Sequence, residues 1–172
     1  MMIIQNNNSP SRLFRQLAYI PWLHNRWLTT EVKAQLKDKI TQAEQGHSGE
    51  IMLIIENHLP IETAYHMDAR SRAVTLFGTH QVWDTEHNTG VLVYVNLCQK
   101  ELHIIADRGI DKKTQADTWQ TLYQTAQTTF KQAQYKDGLL RLIDEIGQVL
   151  RTHYPSDDIN GNELANDVVF LK

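Results

Sequence analysis

Between Val82 and Ile110 the chain reads VWDTEHNTGVLVYVNLCQKELHIIADRGI, and the side chains best suited to chemistry sit at the two ends of this stretch. Asp84, Glu86 and Asn88 lie in a polar loop that leads into two apolar runs, and the second run ends on Asp107-Arg108-Gly109. Carboxylate and amide oxygens, with loop carbonyls added, form the ligand set of hard cations such as calcium and magnesium. Arg108, just ahead of a helix start, offers a different chemistry: a guanidinium beside helix N–H groups attracts phosphate or carboxylate. Both uses have structural competitors. Asp84 and Asn88 can shape turns through local side-chain-to-backbone bonds, Glu86 can be a solvated acid, and Asp107 can cap the helix. Arg108 can make an ordinary surface ion pair with Asp84 or Asp107.

Other routes to chemistry are weaker. No Gly-rich phosphate loop occurs, and the DxDxDG spacing of an EF-hand is absent. The histidines are scattered without an HExxH or HxH pair, which argues against zinc although His80 and His87 flank the loop and His47 is expected nearby. Ser48 lacks a GxSxG elbow. The single cysteine, Cys98, excludes an internal disulfide framework and a CxxC zinc site, and reads as a packed thiol. Glu50 and Glu56 bracket the apolar run EIMLIIE. They are expected at opposite ends of one strand, too far apart for paired acid/base work. Glu50 is the better site candidate by position.

These residues need elements to gather them. Thr29 or Thr30 is suited to cap a helix in which Val32, Leu36, Ile40 and Ala43 form one stripe, ended by Gly46-His47-Ser48-Gly49. The run from Glu50 to Glu56 has no polar alternation, the pattern of a strand covered on both faces. After Pro60, residues 61–79 read as one helix with Ala69, Ala73, Leu76, Phe77 and His80 on a face, and with Arg70 and Arg72 turned elsewhere. The loop is followed by a strand over 91–97, a turn near Gln99-Lys100 and a strand over 101–106. Helical patterning resumes around Lys113 through Ala116, Trp119, Tyr123, Ala126, Phe130 and Ala133. Asp137 is expected to cap a last helix carrying Leu139, Leu140, Ile143, Ile146 and Leu150. The turn-rich tail closes on VVFL, which can pack back or add an edge strand.

This order predicts an α/β fold, a Rossmann-like three-layer α/β/α sandwich around a small mixed β-sheet. A right-handed crossover makes the first strand parallel to the second. The starts of those two strands and the end of the antiparallel third then share one edge. His47, Glu50, Asp84, Glu86, Asn88 and Asp107 are accordingly expected as neighbours.

A chain of 172 residues, 41% hydrophobic, fits one globular domain. The expected organisation is an N-terminal arm over 1–28, disordered before about Ser11, a folded domain over 29–155 and a C-terminal tail over 156–172. A net charge of -3 without a Lys/Arg run gives no reason to expect nucleic acid. Neither a secretory leader nor an apolar stretch of membrane-spanning length is visible, so a cytoplasmic location is expected. In the arm, Phe14, Tyr19, Trp22 and Trp27 interleave with Arg12, Arg15 and Arg26. Such a mixture buries its aromatics on the domain, or else meets a protein partner or a membrane surface. Pro21 breaks it as a single helix.

The segments SGEI, ARSRAVTLF, WDTEHNTGVLVYV and ELHIIADRGI, with the later Trp119, resemble the TPM domain family. That family is named for thylakoid-lumen, photosystem-repair and acetylcholine-receptor-modulator proteins. The likeness covers about residues 30 to 155 and is strongest to a small bacterial branch, with Thr89 standing where a second Asn is common. The resemblance implies an α/β/α sandwich, binding of a divalent cation, notably calcium, and a phosphatase activity. It puts Asp84, Glu86, Asn88, Asp107 and Glu50 on the patterned positions, as ligands for calcium or magnesium. Three functions follow as expectations. One is a cation-binding module acting in a larger assembly. Another is a metal-dependent phosphatase in which Asp107 or Asp84 is ligand or base and Arg108 holds an oxyanion. The last is a non-catalytic scaffold. Many relatives carry a signal peptide and a transmembrane helix, neither of which is seen in this sequence.

Overall fold

The computed structural model describes residues 18–21, 25–156, 164 and 166–171. Along the chain come α1 (Thr30–Ala43), β1 (Ile51–Glu56), α2 (Ile61–His66), α3 (Ala69–Thr79), β2 (Val91–Asn96) and β3 (Glu101–Ala106). They are followed by α4 (Arg108–Lys113), α5 (Thr118–Lys131), α6 (Tyr135–His153) and β4 (Val169–Leu171). The strands form one sheet in the order β3-β2-β1-β4.

Every residue of β1 and β2 is buried. Successive side chains leave a strand on opposite faces, and here they enter two cores. Ile51, Leu53, Ile55, Val91, Val93 and Val95 pack with Leu36 and Ile40 of α1, Phe130 of α5 and Ile143 and Ile146 of α6. Met52, Ile54, Leu92 and Tyr94 pack with Ala69, Ala73 and Leu76 of α3. Helices thus cover both faces of an open mixed sheet, and the fold is a three-layer α/β/α sandwich.

Parallel β1 and β2 place Ile51 opposite Val91, and antiparallel β2 and β3 place Val91 opposite Ala106. The starts of β1 and β2 and the end of β3 therefore lie on one rim, the arrangement expected from the element order. β4 is the edge strand anticipated in the tail. It runs parallel to β1, pairing only alongside Ile54, Ile55 and Glu56.

Local departures from the sequence reading have local causes. The helix expected over 61–79 is two helices. Met67 is extended, and Asp68 accepts from Ser71 N at 2.7 Å as a fresh N-cap for α3. The patterning over 113–133 is likewise interrupted. Asp107 caps α4, which begins at Arg108, and a short break separates it from α5. Asp137 sits in the first turn of α6 instead of capping it; Gln134 is the cap, after Ala133 closes α5 with φ 59°. Its charge still suits the positive end of the helix dipole. Thr29 is the cap of α1, its Oγ1 accepting from Val32 N at 3.2 Å. Cys98 is buried.

Within the N-terminal arm, Tyr19 and Trp27 pack against the core, and the Trp27 ring lies 5.3 Å from that of Tyr135. Arg12, Phe14, Arg15, Trp22, the segment before Ser11 and residues 157–163 of the tail are outside the described residues.

Candidate functional site at the sheet rim

Three chain segments meet at this rim through backbone contacts. Asp107 N donates to Gly90 O at 2.9 Å, and Val91 N donates to Glu50 O at 2.9 Å. The loop between α3 and β2 adds its own ties. Asn88 O accepts from both Gly109 N (2.9 Å) and Ile110 N (3.3 Å), and Thr89 Oγ1 donates to Ser48 O at 3.0 Å. Inside the loop, Thr85 Oγ1 accepts from Thr89 N at 2.8 Å. Asn88 adopts φ 55°, a left-handed conformation that Asn tolerates better than most residues.

Two glycines make the close approach possible. A Cβ on Gly90 would lie 1.8 Å from Val82 O, and one on Gly109 would lie 2.2 Å from His87 O. The Gly of the Asp-Arg-Gly step is therefore required by packing against the loop.

Asp107 is the most constrained of the expected site residues. It is 8% exposed; Oδ1 accepts from Arg108 N at 2.7 Å, while Oδ2 is buried and has no hydrogen-bond partner. Glu50 is buried on the same rim, on the other side of the start of β2. Asp84 and Glu86 are exposed on the loop. Asn88 is half-buried, and its Oδ1 accepts from Arg108 Nε at 3.0 Å. The surface contact foreseen for Arg108 is thus made to an amide. Among the described residues, no group of three or more His, Cys, Asp or Glu side chains is arranged to hold a metal ion.

His47 is buried and committed at both ring nitrogens. Nε2 lies 2.7 Å from Ala43 O and must donate to it, and Nδ1 accepts from Gly49 N at 3.1 Å. Those partners require the neutral Nε2–H tautomer, and burial holds the imidazole below its ordinary pKa. His87 stacks on Tyr154 with ring centres 6.0 Å apart. His80 is the half-buried C-cap of α3.

Glu44 is the rim residue that sequence reasoning missed. β4 pairs only with the far half of β1, and Glu44 Oε1 accepts from Ile51 N at 2.8 Å. Its Oε2 is buried without a partner. Burial, with the nearby charge of Glu50 in support, pushes the Glu44 carboxyl up to about 8. A Glu one residue past a helix end carries no pattern that announces this role.

The opposite rim holds the buried charge that sequence position left unexplained. Glu56 is 1% exposed and pairs with Arg72, whose Nη2 lies 2.7 Å from Oε1. Arg72 was expected to turn from the core, and this ion pair draws it inward. Tyr94 Oη donates to Glu56 Oε2, and Asn96 Nδ2 donates to Tyr94 Oη at 3.2 Å. Burial raises the Tyr94 phenol and the Glu56 charge adds to the effect, so the ring stays protonated as a donor. The network joins the C-terminal ends of β1 and β2 to α3 and is a structural device.

The three-layer sandwich and the loop-to-strand rim define a recognisable class. The TPM domain family model matches residues 24–149, and the chain belongs to that family. Among solved structures it is similar to the BA42 protein from the psychrophilic bacterium Bizionia argentinensis, determined by NMR. The two share 32% identity and superpose with a TM-score of 0.72, over 83% of this chain and 94% of BA42. No curated protein matches the chain. No described helix is long and apolar enough to cross a membrane.

Proposed function

We propose that this TPM domain is a binding module that takes a divalent cation, calcium or magnesium, at the acidic rim and acts within a larger assembly. The observation that carries the reading is Asp107 Oδ2, a buried carboxylate oxygen without a donor. A buried charge without compensation is costly, and a hard cation supplies compensation directly. Glu44 supports the same reading, because its Oε2 is a second buried carboxylate oxygen without a partner on this rim.

Asp107 would provide the first ligand, with Glu50 across the start of β2 and Asp84, Glu86 and Asn88 on the loop. Lacking three preassembled acidic or imidazole ligands, such a site needs carbonyl oxygens and water in the shell. Sites of that kind bind calcium weakly, on the order of 10⁻⁴–10⁻³ M. Calorimetric titration of calcium and magnesium into the full chain and into Asp107→Asn tests the proposal. Saturable binding that is lost in the variant supports it; equal heats for the two proteins, or no binding in either, reject it.

Phosphomonoester hydrolysis is the second reading, favoured by the exposed guanidinium of Arg108, next in sequence to Asp107, which donates to Asn88 Oδ1. In this reading Arg108 would bind a phosphoryl oxygen, and Asp107 would hold the cation or take a proton from water. The bound cation would polarise the phosphoryl group.

A further inference from the structure

A second candidate binding site lies along the open side of β3, with the acidic rim at its Ala106 end. β3 is an edge strand, paired only with β2. The bond from Asp107 N to Gly90 O sets the alternation along it. Ile105, His103 and Glu101 direct their backbone groups toward β2, so the N–H and C=O of Leu102, Ile104 and Ala106 point outward. Among the described residues nothing pairs with these outward groups.

A cavity of about 490 Å³ runs along this edge. Its floor is His103–Ala106, with Arg70 of α3 on one side and Trp119, Gln120 and Tyr123 of α5 on the other. Asp111 of α4 also lines it. His103 and Tyr123 stack with ring centres 6.4 Å apart. The Trp119 indole N–H is buried without an acceptor. Among the described residues no ion pair engages Arg70.

We propose that this slot binds an extended peptide segment of a partner protein, which adds as a strand to β3. The outward backbone groups recur at every second residue, and an extended backbone is the complement of that spacing. The aromatic wall suits an apolar or aromatic side chain of the incoming strand. Arg70 calls for an acidic side chain or a terminal carboxylate next to it, so the partner peptide is apolar and acidic. A second copy of this chain fits less well. Its own β3 has the same two helices packed against it, and these would have to pass each other for the two edges to meet. The slot is independent of the cation reading.

A phage-displayed library of random twelve-residue peptides, selected on the full chain, tests the proposal. Enriched sequences are expected to combine an acidic residue with β-branched or aromatic neighbours. The synthesised winner should slow hydrogen exchange at the Ile104 and Ala106 amides. Its affinity should fall at least tenfold in Arg70→Glu, an exposed substitution, and in Ile104→Pro, which removes one outward N–H from an edge where proline is tolerated. Asp107→Asn should bind it unchanged. Absence of enrichment, or binding that survives both slot variants, overturns the proposal. So does self-association that Ile104→Pro abolishes, which would make a second copy the occupant.

Discussion

Gly109 lies so close to His87 that a single added methyl group would stand 2.2 Å from the His87 carbonyl oxygen. This contact presses the loop onto the turn out of β3 and lets Asn88 O accept two backbone N–H bonds from the start of α4. The acidic rim depends on it.

Gly109→Ala should therefore displace the loop, because the obstructing atoms are backbone and cannot rotate aside. The expected loss is roughly 2–4 kcal/mol, in the range of severe overpacking. Urea denaturation checks this. A variant within experimental error of the parent would show that the loop is loosely held.

Glu44 should make stability depend on pH. Its folded-state pKa of about 8 lies above the ordinary value of 4.5, so the folded chain keeps a proton that the unfolded chain has lost. Stability then falls as pH rises through that window. Glu44→Gln retains an oxygen for Ile51 N and carries no charge. It should be the more stable protein by roughly 1–3 kcal/mol at about pH 9 and show little advantage near about pH 4. Parallel stability curves for the two proteins would contradict the assignment.

Arg72→Met should be strongly destabilising, by roughly 3–5 kcal/mol, because it leaves the Glu56 carboxylate buried and unpaired. Adding Glu56→Gln to that variant should recover part of the loss. Neither change touches the acidic rim, so calcium binding by the folded protein should stay the same. A double variant no better than Arg72→Met would mean that Arg72 acts through packing alone.

Hydrolysis of p-nitrophenyl phosphate with calcium, magnesium or manganese present decides the second reading. If the rim is catalytic, Asp107→Asn should abolish turnover, and Arg108→Ala should lower it by about 10²-fold, the scale of losing one charge-stabilising donor. Turnover that is indifferent to both changes would come from a contaminant.

The strands were legible because β1 and β2 are buried on both faces and their sequences show it directly. The rim was legible as well, since strand order alone brings Glu50, the loop and Asp107 to one edge. What stayed hidden depends on tertiary detail. No Gly or Pro stands at Met67-Asp68, so the break between α2 and α3 carries no breaker residue to announce it. Glu44 matters because β4 stops pairing short of Ile51, a fact of sheet geometry rather than local pattern. Arg72 and Glu56 are sixteen positions apart, and no spacing rule predicts that they meet. Asp107 could be read as a helix cap or as a cation ligand. Its Oδ1 does serve as the cap, and the ligand reading rests on Oδ2.

Crystals soaked in manganese, a hard cation with an anomalous signal, give the most direct measurement. The proposal requires a peak within about 2.6 Å of Asp107 Oδ2, with its remaining ligands drawn from the loop and from water. A map with no peak at the rim, or with Asp107 Oδ2 satisfied by a protein donor instead, would contradict it.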